Sequence, residues 1–561
     1  MAVEFVLFAP YNTDVALVGD WDKWQPIPMK KDENGYWRVE VPLKDGDHQY
    51  KFQVKSLSWF AEGKQVTVAD PTALRFSLDS RENSIVTIKD GKKVLTSYQW
   101  KHDDVPLPSN DELIIYELHV ADFTGGPGDD TRKRLYGTFK GVMEKLDYLA
   151  ELGINAIELM PCNEFPGHHS WGYSQRSIYA VENTYGTPDD LCQLVDECHA
   201  RGIRVIHDSV YNHMEADAPL TQIDYTYWFY QENPDEQFLD FGPKFNYEKY
   251  DENLDVWPAR KHVIEAMKFW VDTFHTDGIR FDCTKALKYY DLLRWFNVEI
   301  HQEAGTKPFY NIAEHVPQDP TIAGPDGPMD AAWHENFFYQ IACTVLAVPH
   351  NGREPFNTDA VFQVLDSRLD GFAGAFNTVN YLDNHDQDRI MWKLGEVAKI
   401  FDEAAFRRVK LGASLLLTSL GVPMIWMGQE IGEQSPKTME KQPIDWVMLK
   451  ESERNQNLFN HYKGLIHLRK SNPALFSNNF EPVLNDPQRG LIGFKRWNDQ
   501  GNVVIVVANL KDEYAGGFEI VGKGMEDGRW HEYIYNYDTE VQGGTLRDSL
   551  AESEVKVFIK S

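Results

Sequence analysis

The chain has 561 residues, 42% of them hydrophobic, and a formal net charge of −30. A surface this acidic is repelled by nucleic-acid phosphates and anionic membranes, which argues against both as partners and leaves a neutral polymer as a permitted substrate. Aromatic residues make up 13% of the chain, a content that disordered chains lack, so the chain is globular.

The five cysteines, Cys162, Cys192, Cys198, Cys283 and Cys343, are odd in number and form no CxxC pair. That argues against a disulfide framework or a zinc site and fits a reducing compartment. The opening stretch MAVEFVLFAP carries no basic region followed by a long apolar run and a cleavage site, and no run of 18 apolar residues follows elsewhere. The expectation is a cytoplasmic protein without a membrane span.

Residues 1–100 read as a β-sandwich. The runs VEFVLFAP, DVALVGDW, GYWRVEVPL and YKFQVK are rich in β-branched and aromatic residues and are separated by Asn-Thr, Asn-Gly and Asp-Gly turn signals. A polar stretch with two prolines (98–112) reads as a linker. From 113 to 470 short apolar runs alternate with helical segments. Eight strand candidates are present: LIIYELHV, NAIELMP, RVIHDSVYNH, GIRFDC, FYNIAEH, AAWHENF, NTVNYLDNHD and VPMIWMGQE. Helices are expected from Thr138, Asp189 and Arg260 onward. Eight β-α units closing on themselves predict an α/β fold, the (β/α)8 TIM barrel. An open doubly wound sheet is the runner-up, disfavoured by the count and by the lack of a Gly-rich first turn. Residues 213–258 carry few regular signals and read as a loop excursion over the barrel mouth. Residues 471–561 return to antiparallel β, with GLIGFKRW, NVVIVVANL, WHEYIYN and EVKVFIK.

Barrel chemistry sits where strands end and loops begin. The third candidate strand ends with Asp208, Asn212 and His213, the fourth with Arg280 and Asp282, the fifth with Glu314 and His315, the seventh with Asn384, His385 and Asp386. One such group is explained by a structural ion pair. Several carboxylates gathered at one end repel each other and need a use. Glycoside hydrolysis or transfer needs two carboxylates at close range. Asp282, next to Arg280, is expected to stay ionised and to suit the nucleophile. Glu314, flanked by Ile312 and Ala313 with no cation in its own motif besides His315, is the better general acid. Asp386 is a third carboxylate, or a partner of Arg389. Metal binding competes as a reading of the cluster, but no His-x-His or HExxH spacing is present, so no metal ligands are assigned.

Together DSVYNH (208–213), GIRFDCTKA (278–286), IAEH (312–315) and LDNHD (382–386) resemble the four signature regions of the α-amylase superfamily, in order and on strands three, four, five and seven. WGY (171–173) and MGQE (427–430) also match. The resemblance implies a retaining mechanism on α-glucosidic bonds, with starch, glycogen or maltooligosaccharides as substrate. It makes Asp282 the nucleophile, Glu314 the general acid/base and Asp386 the transition-state stabiliser. It places Asp208, His213, Arg280 and His385 around the sugar at the point of cleavage and Tyr173 beneath it. Lys285 matches the Lys of a Lys-His pair after the nucleophile, whereas Ala286 stands in place of the histidine, on the acceptor side. No cofactor is required. Calcium is the one candidate, at Asn212, and some relatives with an N-terminal β-module do without it. The N-terminal part resembles a family 48 carbohydrate-binding module, which makes Trp21, Trp24 and Trp37 candidates for sugar stacking.

Some stretches resemble branching enzymes (GTFKGVMEKLDYLAELGINAIELMP, KQPIDWVML), whereas NHDQDR is nearer to amylases and trehalohydrolases. The expectation is an α-amylase-type hydrolase of α-1,4-glucans. The alternatives are a branching enzyme that forms α-1,6 links, a maltooligosyl trehalose trehalohydrolase, and a catalytically silent glucan-binding protein.

Overall fold

The computed structural model describes residues 2–79, 82–125, 136–232 and 241–560. Eight parallel strands close into a barrel. They are β1 (Ile115–Leu118), β2 (Ala156–Leu159), β3 (Arg204–Ser209), β4 (Gly278–Phe281), β5 (Tyr310–Ala313), β6 (Ala331–Trp333), β7 (Thr378–Tyr381) and β8 (Val422–Trp426). Each falls inside one of the eight apolar runs, and every residue of all eight is buried, as strands with packed faces on both sides require.

The helices begin where the chain offers a cap. Thr138 caps Phe139–Met143 and accepts from the Gly141 N–H. Thr187 forms a reciprocal capping box with Asp190 ahead of Pro188–His199. The long helix Pro258–Phe274 starts on a proline, whose missing N–H costs nothing there. Gly278 opens β4 because a Cβ at that position would lie 2.5 Å from the Tyr310 carbonyl oxygen of β5.

The N-terminal residues form two antiparallel sheets. They enclose Phe5, Leu17, Phe52 and Val54, all fully buried. Strands Gln65–Val68 and Ser84–Lys89 add to the runs read from the sequence. The C-terminal part is a six-stranded antiparallel sheet with a separate two-stranded one. Stretch 98–112 is bound to the barrel rather than loose. Asp196 accepts from the Tyr98 hydroxyl at 2.7 Å and from the backbone N–H groups of Lys101 and His102, and Trp100 stacks on His275 at 3.7 Å.

The excursion after β3 differs from the expectation of irregular loop. It contains the helix Pro219–Trp228, kinked at Asp224. Residues 233–240 of that excursion lie outside the described residues. Ile223 inserts into the core of the N-terminal sheets, Leu57 N–H donates to its carbonyl at 3.0 Å, and Tyr11 donates to Asp251 at 2.8 Å. The excursion is therefore the surface on which the N-terminal module docks. Ile223 faces that module, whereas Leu220, Trp228, Phe229 and Phe245 pack beside the barrel with Val263 and Phe281.

Candidate active site

Arg280 organises the mouth of the barrel. Its side chain is fully buried, and a guanidinium there needs several acceptors to offset lost hydration. Nη1 donates to Asp208 Oδ1 at 2.9 Å and to Asp282 Oδ1 at 2.8 Å, and Nη2 lies 3.2 Å from Glu314 Oε2. The register explains the grouping. Asp208 on β3 pairs directly with Arg280 on β4, and Asp282 and Glu314 each follow the last residue of their strand. Arg280 also lies over the Trp333 ring at 4.4 Å, a stacking that fits a planar guanidinium.

The motif around Glu314 offers no cation besides His315, but the neighbouring strand supplies one. Glu314 shares Arg280 with Asp282. Burial, opposed by Arg280 and helped by Asp282, raises Glu314 to about 7. Burial also raises Asp282, against Arg280, to about 6. Both carboxyls are thus pushed upward, and Glu314 stays above Asp282 as an ordinary glutamate stays above an ordinary aspartate. Cys283, just after Asp282, has a left-handed backbone with φ of 51°, and its N–H donates to Glu314 Oε2 at 2.7 Å. A non-glycine residue held there is strained, and here the turn aims a donor at a carboxylate.

Asp386 faces His385 Nε2 and Lys437 Nζ, each at 3.4 Å. Against the effect of burial, these cations hold its carboxyl below the ordinary range. The alternative reading, a pairing of Asp386 with Arg389, does not form. Arg389 donates to the Met427 carbonyl at 2.6 Å and lies over Trp426. Lys437 enters from the loop after β8 and also donates to the Asp386 carbonyl at 2.8 Å. No motif pointed to it.

Tyr173 donates to Asp208 Oδ2 at 2.6 Å and stacks on His385 with ring centroids 5.0 Å apart. His385 Nδ1 lies 2.6 Å from Glu117 Oε1, in the middle of β1, a second partner that sequence reasoning missed. Burial alone would lower this imidazole, but Asp386 and Glu117 together raise it to about 9. Glu158 stands beside Glu117 on β2 with no partner for either oxygen, and burial next to Glu117 and Asp208 raises its carboxyl well above the ordinary range. Apolar-looking runs hid both glutamates.

His213 donates from Nε2 to the Tyr173 carbonyl at 2.9 Å, so it holds the Tyr173 backbone. Lys285 is half-buried on the short helix Thr284–Leu287, immediately after the turn at Cys283. Among the described residues, no group of three metal-ligating side chains gathers at Asn212. Its Oδ1 lacks a hydrogen-bond partner, but the residue bridged to neighbouring His213 is Lys244, whose buried ammonium donates to the Ala286 carbonyl at 2.7 Å. Among the described residues, one group of three metal-ligating side chains converges elsewhere, His119, Asp122 and His169.

All five cysteines are free thiols. Of the three candidate stacking tryptophans, Trp37 is core, with its indole N–H donating to the Ala9 carbonyl at 2.9 Å. Trp21 packs on Phe5 and is half-buried, as is Trp24. The well-exposed tryptophan of the module is Trp59, at 60%. No helix among the described residues is long and apolar enough to cross a membrane.

Residues 1–73 match the carbohydrate-binding module 48 (isoamylase N-terminal domain) family. The chain is 29% identical to the malto-oligosyltrehalose trehalohydrolase of Saccharolobus solfataricus over 77% of this chain and 74% of that one. It is 25% identical to the 1,4-alpha-glucan branching enzyme of Synechococcus sp. RCC307 over 98% of this chain and 75% of that one. In fold it is similar to the type I pullulanase of Bacillus subtilis solved with maltose, with a TM-score of 0.81 and 19% identity over 100% of this chain and 85% of that one. It is similar also to a putative alpha amylase from Salmonella typhimurium, with a TM-score of 0.74 and 20% identity over 99% and 97%. Residues 118–450, more than half of the chain and including Asp282, Glu314 and Asp386, match the alpha-amylase catalytic domain, and the chain belongs to the α-amylase family of enzymes acting on α-glucans.

Proposed function

We propose that this enzyme is a retaining hydrolase of α-1,4-glucans that works through a covalent glycosyl-enzyme intermediate. The observation that carries the reading is the sharing of Arg280 by Asp282 and Glu314, one on each arm of the guanidinium. Retaining pairs stand close together, whereas inverting pairs leave room for a water between them. Asp282, the more tightly held carboxylate, attacks the anomeric carbon. Glu314 protonates the leaving oxygen and then, as carboxylate, takes a proton from the attacking water. Asp386, kept ionised by His385 and Lys437, stabilises the positive charge that builds on the ring. Asp208, Arg280, His385 and Tyr173 surround that sugar, His213 fixes the Tyr173 backbone, and Lys285 lies on the acceptor side.

A second reading, branching by transfer to a sugar hydroxyl, is favoured by the likeness to branching enzymes over 98% of the chain. Both readings share the first half-reaction. The deciding experiment is digestion of amylose followed by reducing-end release and by proton NMR for α-1,6 linkages. Rising reducing ends without a new α-1,6 signal are expected. A growing α-1,6 signal at nearly constant reducing ends would replace hydrolysis with branching. Release of trehalose from maltooligosyl trehalose, with amylose untouched, would instead make it a trehalohydrolase. Asp282→Asn is expected to abolish turnover while leaving glucan binding in place. Turnover that survives this change would refute the nucleophile assignment, and a wild type that only binds would be the silent protein.

A further inference from the structure

His119, Asp122 and His169 take no part in the chemistry above. His119 directly follows β1, Asp122 comes one short turn later, and His169 enters from the segment after β2. The first two are buried and His169 is half-buried. Their donor atoms all lie within 4.8 Å of one another. His119 Nδ1 is 2.9 Å from Asp122 Oδ2, and His169 Nε2 is 3.3 Å from Asp122 Oδ1.

The partners of these groups suit ligation. His119 Nε2 lies 2.9 Å from the Ser170 carbonyl, so that nitrogen carries a proton and donates it. A metal-bound histidine has this arrangement: the far nitrogen donates to a carbonyl, which sets the tautomer and turns the near nitrogen toward the ion. Asp122 Oδ1 in turn accepts from the Gln442 N–H at 3.0 Å, which orients the carboxylate. A cavity of about 30 Å³ adjoins the cluster, lined by His119, Asp122, Trp171, His385 and Lys437. That is room enough for a water. Three protein ligands and one water make the tetrahedral set of an open zinc site.

We propose that His119, Asp122 and His169 form a binding site for Zn²⁺ or a similar transition-metal ion, with a water in the adjoining cavity as fourth ligand. Two imidazoles and one carboxylate do not suit Ca²⁺ or Mg²⁺, which take oxygen donors. Without an ion the same groups hold together as hydrogen-bonded ion pairs, which keeps them in place. A bound ion would tie the loop after β1 to the loop that carries Trp171 and Tyr173. The separation of 47 positions between Asp122 and His169 keeps the set out of reach of local motif reading.

The test uses the full chain stripped of metal by a chelator. ZnCl2 is titrated calorimetrically and CoCl2 by visible absorption. One equivalent of each is expected to bind, with the intense visible bands of tetrahedral cobalt and a rise in Tm with zinc. His169→Ala and Asp122→Asn should each weaken binding by about 100-fold or more, since a lost ligand costs at least as much as a lost ligand partner. His531→Ala, at a surface histidine paired with Asp538, should leave it unchanged. A folded wild type that binds less than one equivalent overturns the proposal, whatever the variants do. So does one-equivalent binding that survives in both His169→Ala and Asp122→Asn. The cluster would then be an ion-pair network only.

Discussion

Glu117→Gln tests whether His385 acts as a cation. The wild-type imidazole is raised to about 9, by Asp386 and Glu117 against the opposing effect of burial. Against an ordinary value near 6.5, that is about 3 kcal/mol in favour of the protonated ring. Glutamine keeps an oxygen to accept from Nδ1 but removes the charge. With about three-fifths of the rise assigned to Glu117, His385 in the variant titrates about 1.5 pH units lower. At about pH 6 both proteins then keep the ring protonated. By about pH 9 the protonated fraction in the variant is more than tenfold smaller than in the wild type. The assay is kcat/KM on a maltooligosaccharide across this range, taken as the ratio of variant to wild type. The ratio cancels the limb that both proteins share through Glu314. It should stay level on the acid side and fall about fourfold by about pH 8 and more than tenfold by about pH 9. A ratio that is flat with pH would refute the reasoning, because Glu117 would then act only through shape.

The wild-type profile of kcat/KM should be bell-shaped. It rises as Asp282 ionises near about 6 and falls as Glu314 loses its proton near about 7; a profile level from pH 5 to 9 would exclude this pair as nucleophile and acid. Asp277 is fully buried against His199 at 2.8 Å and Lys307 at 3.1 Å, and these partners, overcoming burial, lower its carboxyl to about 2. Its folded value is depressed, so its contribution of about 2 kcal/mol is present above about pH 4 and is lost as pH falls toward 2. Asp277→Asn should cost about 3–5 kcal/mol in urea unfolding at neutral pH, and less in acid. Gly278→Ala would set a methyl 2.5 Å from the Tyr310 carbonyl oxygen. It should lower stability by about 1–3 kcal/mol, read as a lower Tm.

Much of the barrel was legible because its signals are local. Each strand is a run of apolar residues bounded by breakers, and the eight runs can be counted without knowing what they touch. The carboxylates at the strand ends were legible for the same reason, since Asp282 and Glu314 stand directly after such runs. Their environment was not. Arg280 serves Asp208, Asp282 and Glu314 only once β3, β4 and β5 lie side by side, so Glu314 gained a cation that its own motif lacks. Glu117 looked like one polar residue within a buried strand until barrel closure brought it to His385, 268 positions away. Lys437, the docking role of Ile223 and the convergence of His119, Asp122 and His169 likewise depend on where loops meet. Sequence by itself determined the elements and the kinds of chemical group at their ends, because period and chemistry are written along the chain. Only the tertiary structure decided which charges share a partner, because that depends on distances set by closure of the barrel and on the cost of burying each group unpaired.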